Sequence, residues 1–85
     1  MFAMMIRASG KTRIAAANAL AAEIDKEMGV RPDQEGAGYD YDPETDAIVD
    51  ASTGEFEADV KYQAINGGFL AFVSKEQLTA DPLFK

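Results

Sequence analysis

The chain has 85 residues, 47% of them apolar, a net charge of −7, and no Cys, His or Trp. That length makes one small domain, 1–85, that buries only about 60–65% of its unfolded surface. Without Cys there is no disulfide or thiolate metal site, and without His the usual general base and the commonest metal ligand are missing.

Residues 2–8, FAMMIRA, predict a strand with Phe2, Met4 and Ile6 on one face and Ala3, Met5 and Arg7 on the other. Ser9 and Gly10 break it. From Lys11 to Met28 the apolar residues Ile14, Ala17, Leu20, Ala21, Ile24 and Met28 recur every three or four positions, the stripe of an amphipathic helix. Ser9 or Gly10 is its expected cap, Gly29 its expected C-terminal stop, and Pro32 prevents continuation. Residues 30–38, VRPDQEGAG, read as a loop.

The period then changes to two. Tyr39 and Tyr41 alternate with Asp40 and Asp42, Pro43-Glu44-Thr45 turns the chain, and 47–51, AIVDA, predicts a short strand. After the turn Ser52-Thr53-Gly54, residues 55–65 alternate almost perfectly. Phe56, Ala58, Val60, Tyr62 and Ala64 take the expected core face; Glu55, Glu57, Asp59, Lys61 and Gln63 take the other. Asn66-Gly67-Gly68 is a hairpin signal. Residues 69–73, FLAFV, are apolar on both faces and suit a central strand. Ser74 with Gln77 resembles a capping box that opens a short helix through about Thr79, ended by Asp81-Pro82. The order β-α-β-β-β-β with a terminal helical turn predicts an α+β domain, an antiparallel meander with one helix packed across its apolar face.

Three chemical patterns present themselves, and each fails. Ser9-Gly10-Lys11-Thr12 between a strand and a helix has the outline of a P-loop, but Met5 stands where the leading Gly is required, and the strand leaves no room for the phosphate cradle. Asp40, Asp42, Glu44 and Asp46 alternate like calcium ligands. An EF-hand loop starting at Asp40 would need Gly, a β-branched apolar residue and Glu where Thr45, Ala47 and Ala51 stand. Ser9, Ser52, Thr53 and Ser74 have no His to activate them. No catalytic residue, cofactor or metal site is expected.

Charge is the strongest signal. Residues 32–60 hold ten acidic side chains and no basic one, whereas 1–31 hold five basic and three acidic. Such density repels nucleic acid and suits a basic partner. The candidate partner surface is Tyr39, Asp40, Tyr41, Asp42, Glu44, Asp46, Glu55, Glu57 and Asp59. Tyr anchors beside charge are common at protein interfaces, although Tyr39 and Tyr41 serve equally well as core. No apolar run reaches the ~20 residues of a membrane span. The basic residues follow the N-terminal apolar run, the reverse of a secretory signal, so a soluble cytoplasmic protein is expected.

The expected function is a small acidic inhibitor that presents negative charge to a nucleic-acid-binding protein. Its likeness to anti-restriction and anti-CRISPR proteins of phages and mobile elements is one of size and charge alone. The alternative is an assembly component of a phage particle or larger complex that binds through a sheet edge.

Overall fold

A computed structural model of the chain describes residues 5–27, 38–74 and 78. Its elements are β1 (Met5–Gly10), α1 (Arg13–Glu27), β2 (Tyr39–Asp42), β3 (Ala47–Asp50), β4 (Phe56–Asp59), β5 (Lys61–Ile65) and β6 (Gly68–Ser74). The strands form two antiparallel three-stranded sheets, ordered β1-β6-β5 and β2-β3-β4. The α+β architecture, with α1 the one long helix among the described residues, is the one expected; the meander is divided between two sheets. The division falls at Val60, a buried residue that alone separates β4 from β5, so the alternating stretch 55–65 supplies a strand to each sheet.

The helix packs against β1 and β6 of one sheet and β2 of the other. Ala16, Ala17, Leu20, Ala21 and Ile24 are its buried residues. Ile14, expected in the stripe, is 57% exposed. At 3.6 residues per turn the centre of the buried stripe lies about 90° around the helix from Ile14, which faces solvent while Ala16 takes the inward place. Thr12 starts the helix: its hydroxyl accepts from the Ala15 N–H at 3.1 Å and its carbonyl from the Ala16 N–H at 2.9 Å. Ser9 and Gly10, the expected caps, instead extend β1, because Leu70 and Phe69 of β6 pair with them.

The connection from strand to helix is tight. A Cβ on Gly10 would stand 2.5 Å from the Ala16 nitrogen, and one on Gly68 would overlap the Gly10 carbonyl oxygen. Two glycines facing each other let the start of β6, the end of β1 and the first turn of α1 meet without side chains between them. As expected, β6 is the central strand of its sheet and 66–67 is a two-residue turn, with Gly67 at φ 87°.

In the second sheet Ile48 pairs with Ala58 but Val49 pairs with Phe56, a β-bulge that leaves Glu57 as the extra residue. This corrects the expected faces. Phe56 is 56% exposed rather than core, and Glu57 is buried rather than outward. Ala64 is exposed as well. Ala58 and Val60 are buried as expected, and Tyr62 packs against the core. Leu78 is helical and fully buried; the rest of the expected C-terminal helix, the loop 30–37, Met28, Gly29 and the start of the first strand lie outside the described residues. No helix among the described residues is long and apolar enough to cross a membrane.

Candidate protein-interaction surface

Residues 38–59 carry eight acidic side chains and no basic one, and they build the whole β2-β3-β4 sheet. Alternation along β2 buries Tyr39 and Tyr41 and turns Asp40 and Asp42 toward solvent. Across the three strands two rows form. One is Asp40, Val49 and Phe56; the other is Asp42, Ala47 and Asp59. Asp40 and Asp42, two residues apart on one strand, are separated by about 6.7 Å along it. Asp42 and Asp59 flank Ala47 and stand two strand spacings apart, about 9.6 Å. Glu44 in the β2–β3 turn and Glu55 before β4 are exposed. The face is therefore a set of carboxylates at fixed spacing with the exposed ring of Phe56 beside them on the edge strand, while Ala47 and Val49 of the middle strand are buried.

Other carboxylates are engaged inside the protein. Asp42 Oδ1 accepts from the Glu44 N–H at 3.0 Å, and its Oδ2 from the Thr45 hydroxyl at 3.1 Å, which shapes the turn. Asp50 is buried; its Oδ1 accepts from the Ser52 hydroxyl at 2.7 Å and the Ser52 N–H at 2.8 Å. Those two bonds hold its carboxyl below the ordinary value of 3.8, against the opposing effect of burial. Asp25 of α1 accepts from the Tyr39 N–H at 2.8 Å and ties the helix to β2. Burial pushes its carboxyl up, the bond from Tyr39 opposes this, and the nearby charge of Asp40 adds to the rise.

Asp46 joins the two sheets. One of its oxygens, Oδ1, accepts from the Tyr41 hydroxyl at 2.6 Å and from the Tyr62 hydroxyl at 2.5 Å. Tyr41 lies in β2 and Tyr62 in β5, so one carboxylate in a turn links a strand of each sheet. Asp46 takes φ 54°, a left-handed conformation that Asp accepts better than most residues. Burial and the bond to Asp46 raise both phenols above their ordinary value, so both stay protonated and donate at neutral pH. The Arg13 guanidinium stands 5.2 Å from the centroid of the Tyr62 ring and 5.5 Å from that of Phe69. This brings the start of α1 into the same junction.

Of the nine residues expected at the partner surface, Asp40, Glu44, Glu55 and Asp59 are exposed and Asp42 is partly so. Asp46 is exposed but bonded to the two tyrosines. Tyr39, Tyr41 and Glu57 are buried, which corrects their assignment to the surface: the tyrosines face the helix side of β2, and the bulge takes Glu57 out of the row that Glu55 and Asp59 were expected to share with it. Phe56 is the surface residue that alternation concealed. Neither Asp25, Arg13 nor the pairing of Asp46 with Tyr62 carries a local sequence signal, since each depends on contacts between distant segments.

The first sheet has the opposite sign. Residues 5–22 and 60–74 carry Arg7, Lys11, Arg13 and Lys61 and no acidic side chain. Among the described residues no group of three or more acidic side chains is placed to hold a metal ion. Comparison with protein-family models, with curated proteins and with solved structures finds no match.

Proposed function

We propose that the outer face of the β2-β3-β4 sheet binds a basic, nucleic-acid-binding protein and occupies the groove that its nucleic acid would fill. The observation that carries this reading is the run of eight acidic and no basic side chains in the residues that build that sheet, with Asp40, Asp42, Glu44, Glu55 and Asp59 at its surface. A groove lined by Lys and Arg accepts such an array as it accepts phosphates, and releases its counterions in doing so. A strand scaffold holds the charges at set distances, so little side-chain and backbone freedom is lost on docking. The result is competitive inhibition, of the kind that small proteins of phages and mobile elements exert on restriction or CRISPR systems.

The test is a four-fold variant, Asp40→Asn, Glu44→Gln, Glu55→Gln and Asp59→Asn, which keeps shape and leaves Asp42, Asp46 and Asp50 in their hydrogen bonds. Its fold should survive, because repulsion between like charges falls. Capture of a basic partner from host lysate at low salt should drop more than tenfold. Wild-type capture should weaken as the Debye length shrinks below about 10 Å above 0.1 M salt, through slower association. Undiminished capture by the four-fold variant refutes the charge reading and favours assembly through a sheet edge, where backbone pairing ignores those carboxylates.

A further inference from the structure

Each three-stranded sheet has two edge strands, and an edge strand offers outward backbone N–H and C=O groups to any other strand. Three of the four edges here are guarded. In β2 the outward N–H groups already have side-chain acceptors: Tyr39 donates to Asp25 at 2.8 Å and Tyr41 to Asp40 at 2.9 Å. In β4 the bulge at Glu57 breaks the ladder, and Glu55 and Asp59 stand at either end. β1 carries Arg7 near its middle, and pairing with its own copy about that point sets two arginines directly opposite.

β5 lacks all three devices. Its five residues hold no Pro, no bulge and a single charge, Lys61, at one end. Lys61, Gln63, Ala64 and Ile65 are exposed and Tyr62 is partly so. Among the described residues, β6 is the one strand paired with it. The two-residue turn 66–67 makes Ile65 and Gly68 a hydrogen-bonded pair, and alternation then turns the backbone of Gln63 and Lys61 toward β6 as well. The N–H and C=O groups of Tyr62 and Ala64 therefore point outward.

The strand is also complementary to itself. Laid antiparallel to a second β5, with Gln63 on the two-fold axis, Tyr62 of each copy stands opposite Ala64 of the other, and each pair exchanges two backbone bonds. Lys61 then lies opposite Ile65, which is 41% exposed and is covered by the aliphatic stem of the lysine. No like charges face each other. We propose that two copies of the chain pair edge to edge through β5, in a symmetric dimer whose sheet runs β1-β6-β5-β5-β6-β1.

The contact is isologous, so it closes at two copies. Five residues of strand are about 17 Å long and bury well under the ~800 Å² per partner of a standard interface. With four backbone bonds and little else the association is weak, with a Kd in the range of about 0.1–1 mM. It opposes the net charge of −7 on each copy, which screening at ~0.15 M salt reduces to neighbours within about 8 Å. The acidic face of the other sheet takes no part, so the dimer does not rest on the inhibitor reading.

The experiment is sedimentation of the full chain at ~0.15 M salt over a concentration series up to about 1 mM. Wild type should pass from monomer to dimer and no further, and amide exchange at Tyr62 and Ala64 should slow as the dimer fills. Ala64→Pro removes an outward N–H at an edge position where the strand itself tolerates Pro, and should dimerise at least tenfold more weakly. Gln63→Lys and Gln63→Glu each set like charges across the axis and should weaken the dimer about two- to fivefold. Mixed in equal amounts, these two should form a heterodimer tighter than either variant forms alone. Circular dichroism confirms folding, and the exposed Gln63 substitutions decide the matter if Ala64→Pro does not fold. A wild type that stays monomeric, species larger than a dimer, a folded Ala64→Pro that still dimerises, or a mixture no tighter than its components overturns the proposal. Gln63→Glu should still capture a basic partner, so failure of edge pairing and failure of the inhibitor reading are separable.

Discussion

Replacing Asp46 tests whether one exposed carboxylate holds the two sheets together. Asp46→Ala removes the acceptor of both tyrosine hydroxyls and places Ala at φ 54°. A hydrogen bond to a charged group contributes about 1.5–3 kcal/mol, and the exposure of Asp46 argues for the low end. Tyr41, only 8% exposed, is left with a hydroxyl donor that water reaches poorly, about 1.5 kcal/mol; half-buried Tyr62 loses about 0.5 kcal/mol. Left-handed backbone costs an ordinary residue about 1–2 kcal/mol, of which Asp avoids part. The sum is about 3 kcal/mol, and in a domain of this size each kcal/mol moves Tm by about 4–8 °C, so Tm should fall by at least about 12 °C. Asp46→Asn keeps an acceptor oxygen and tolerates the same φ, and should lose about 1 kcal/mol. Tyr41→Phe combined with Tyr62→Phe removes the bonds without the strain and should fall between the two. The two bonds share one oxygen, so the single Phe variants should not add. Urea unfolding followed by circular dichroism gives each value. An Asp46→Ala variant within about 0.5 kcal/mol of wild type would refute the idea that this junction fastens the sheets.

Ile24 is fully buried between helix and sheets, so Ile24→Asp should abolish the cooperative melt by leaving an unpaired charge in the core. A far-ultraviolet spectrum and melt equal to wild type would show that α1 does not pack there. Gly68→Ala should destabilise by more than about 2 kcal/mol in urea unfolding, because its Cβ lands on the Gly10 carbonyl, a backbone atom that cannot swing away. Asp50 stays charged in the folded protein at pH values where the unfolded chain takes up a proton. Its contribution is therefore present above its ordinary value of 3.8 and lost as pH falls through the lower folded value. Between about pH 4.5 and pH 2.5, wild type should lose stability more steeply than Asp50→Asn, and parallel curves would contradict this.

Periodicity revealed those parts of the fold that depend on neighbours in sequence. The helix, the central β6 with apolar residues on both faces, and the turn at Asn66-Gly67 all follow from local pattern. What periodicity missed depends on residues far apart. Alternation from 55 to 65 looks like one straight strand, and nothing local marks the extra residue at Glu57 or the change of sheet at Val60. The cap moved from Ser9 to Thr12 because β6 offered two more pairings, a choice made by a strand some sixty residues away. The acidic surface was legible as composition, and Asp40, Asp42, Glu44, Glu55 and Asp59 do reach solvent. Tyr39 and Tyr41 went inside because β2 has the helix on one side, and a strand with alternating Tyr and Asp buries its aromatic face.

The bulge opposite Val49 changes what the acidic face can recognise. A purely ionic surface loses its grip in concentrated salt and binds any sufficiently basic groove alike. Phe56, 56% exposed on the edge strand beside these carboxylates, adds an apolar contact that salt does not screen. A partner with cations at the right spacing but a flat, hydrated floor satisfies only the rim. On the proposed function, one that offers a pocket for a phenyl ring would be held after the charges have been screened away. On that same reading, a single inserted residue would thus make a general anion selective, with discrimination set by shape and attraction set by charge.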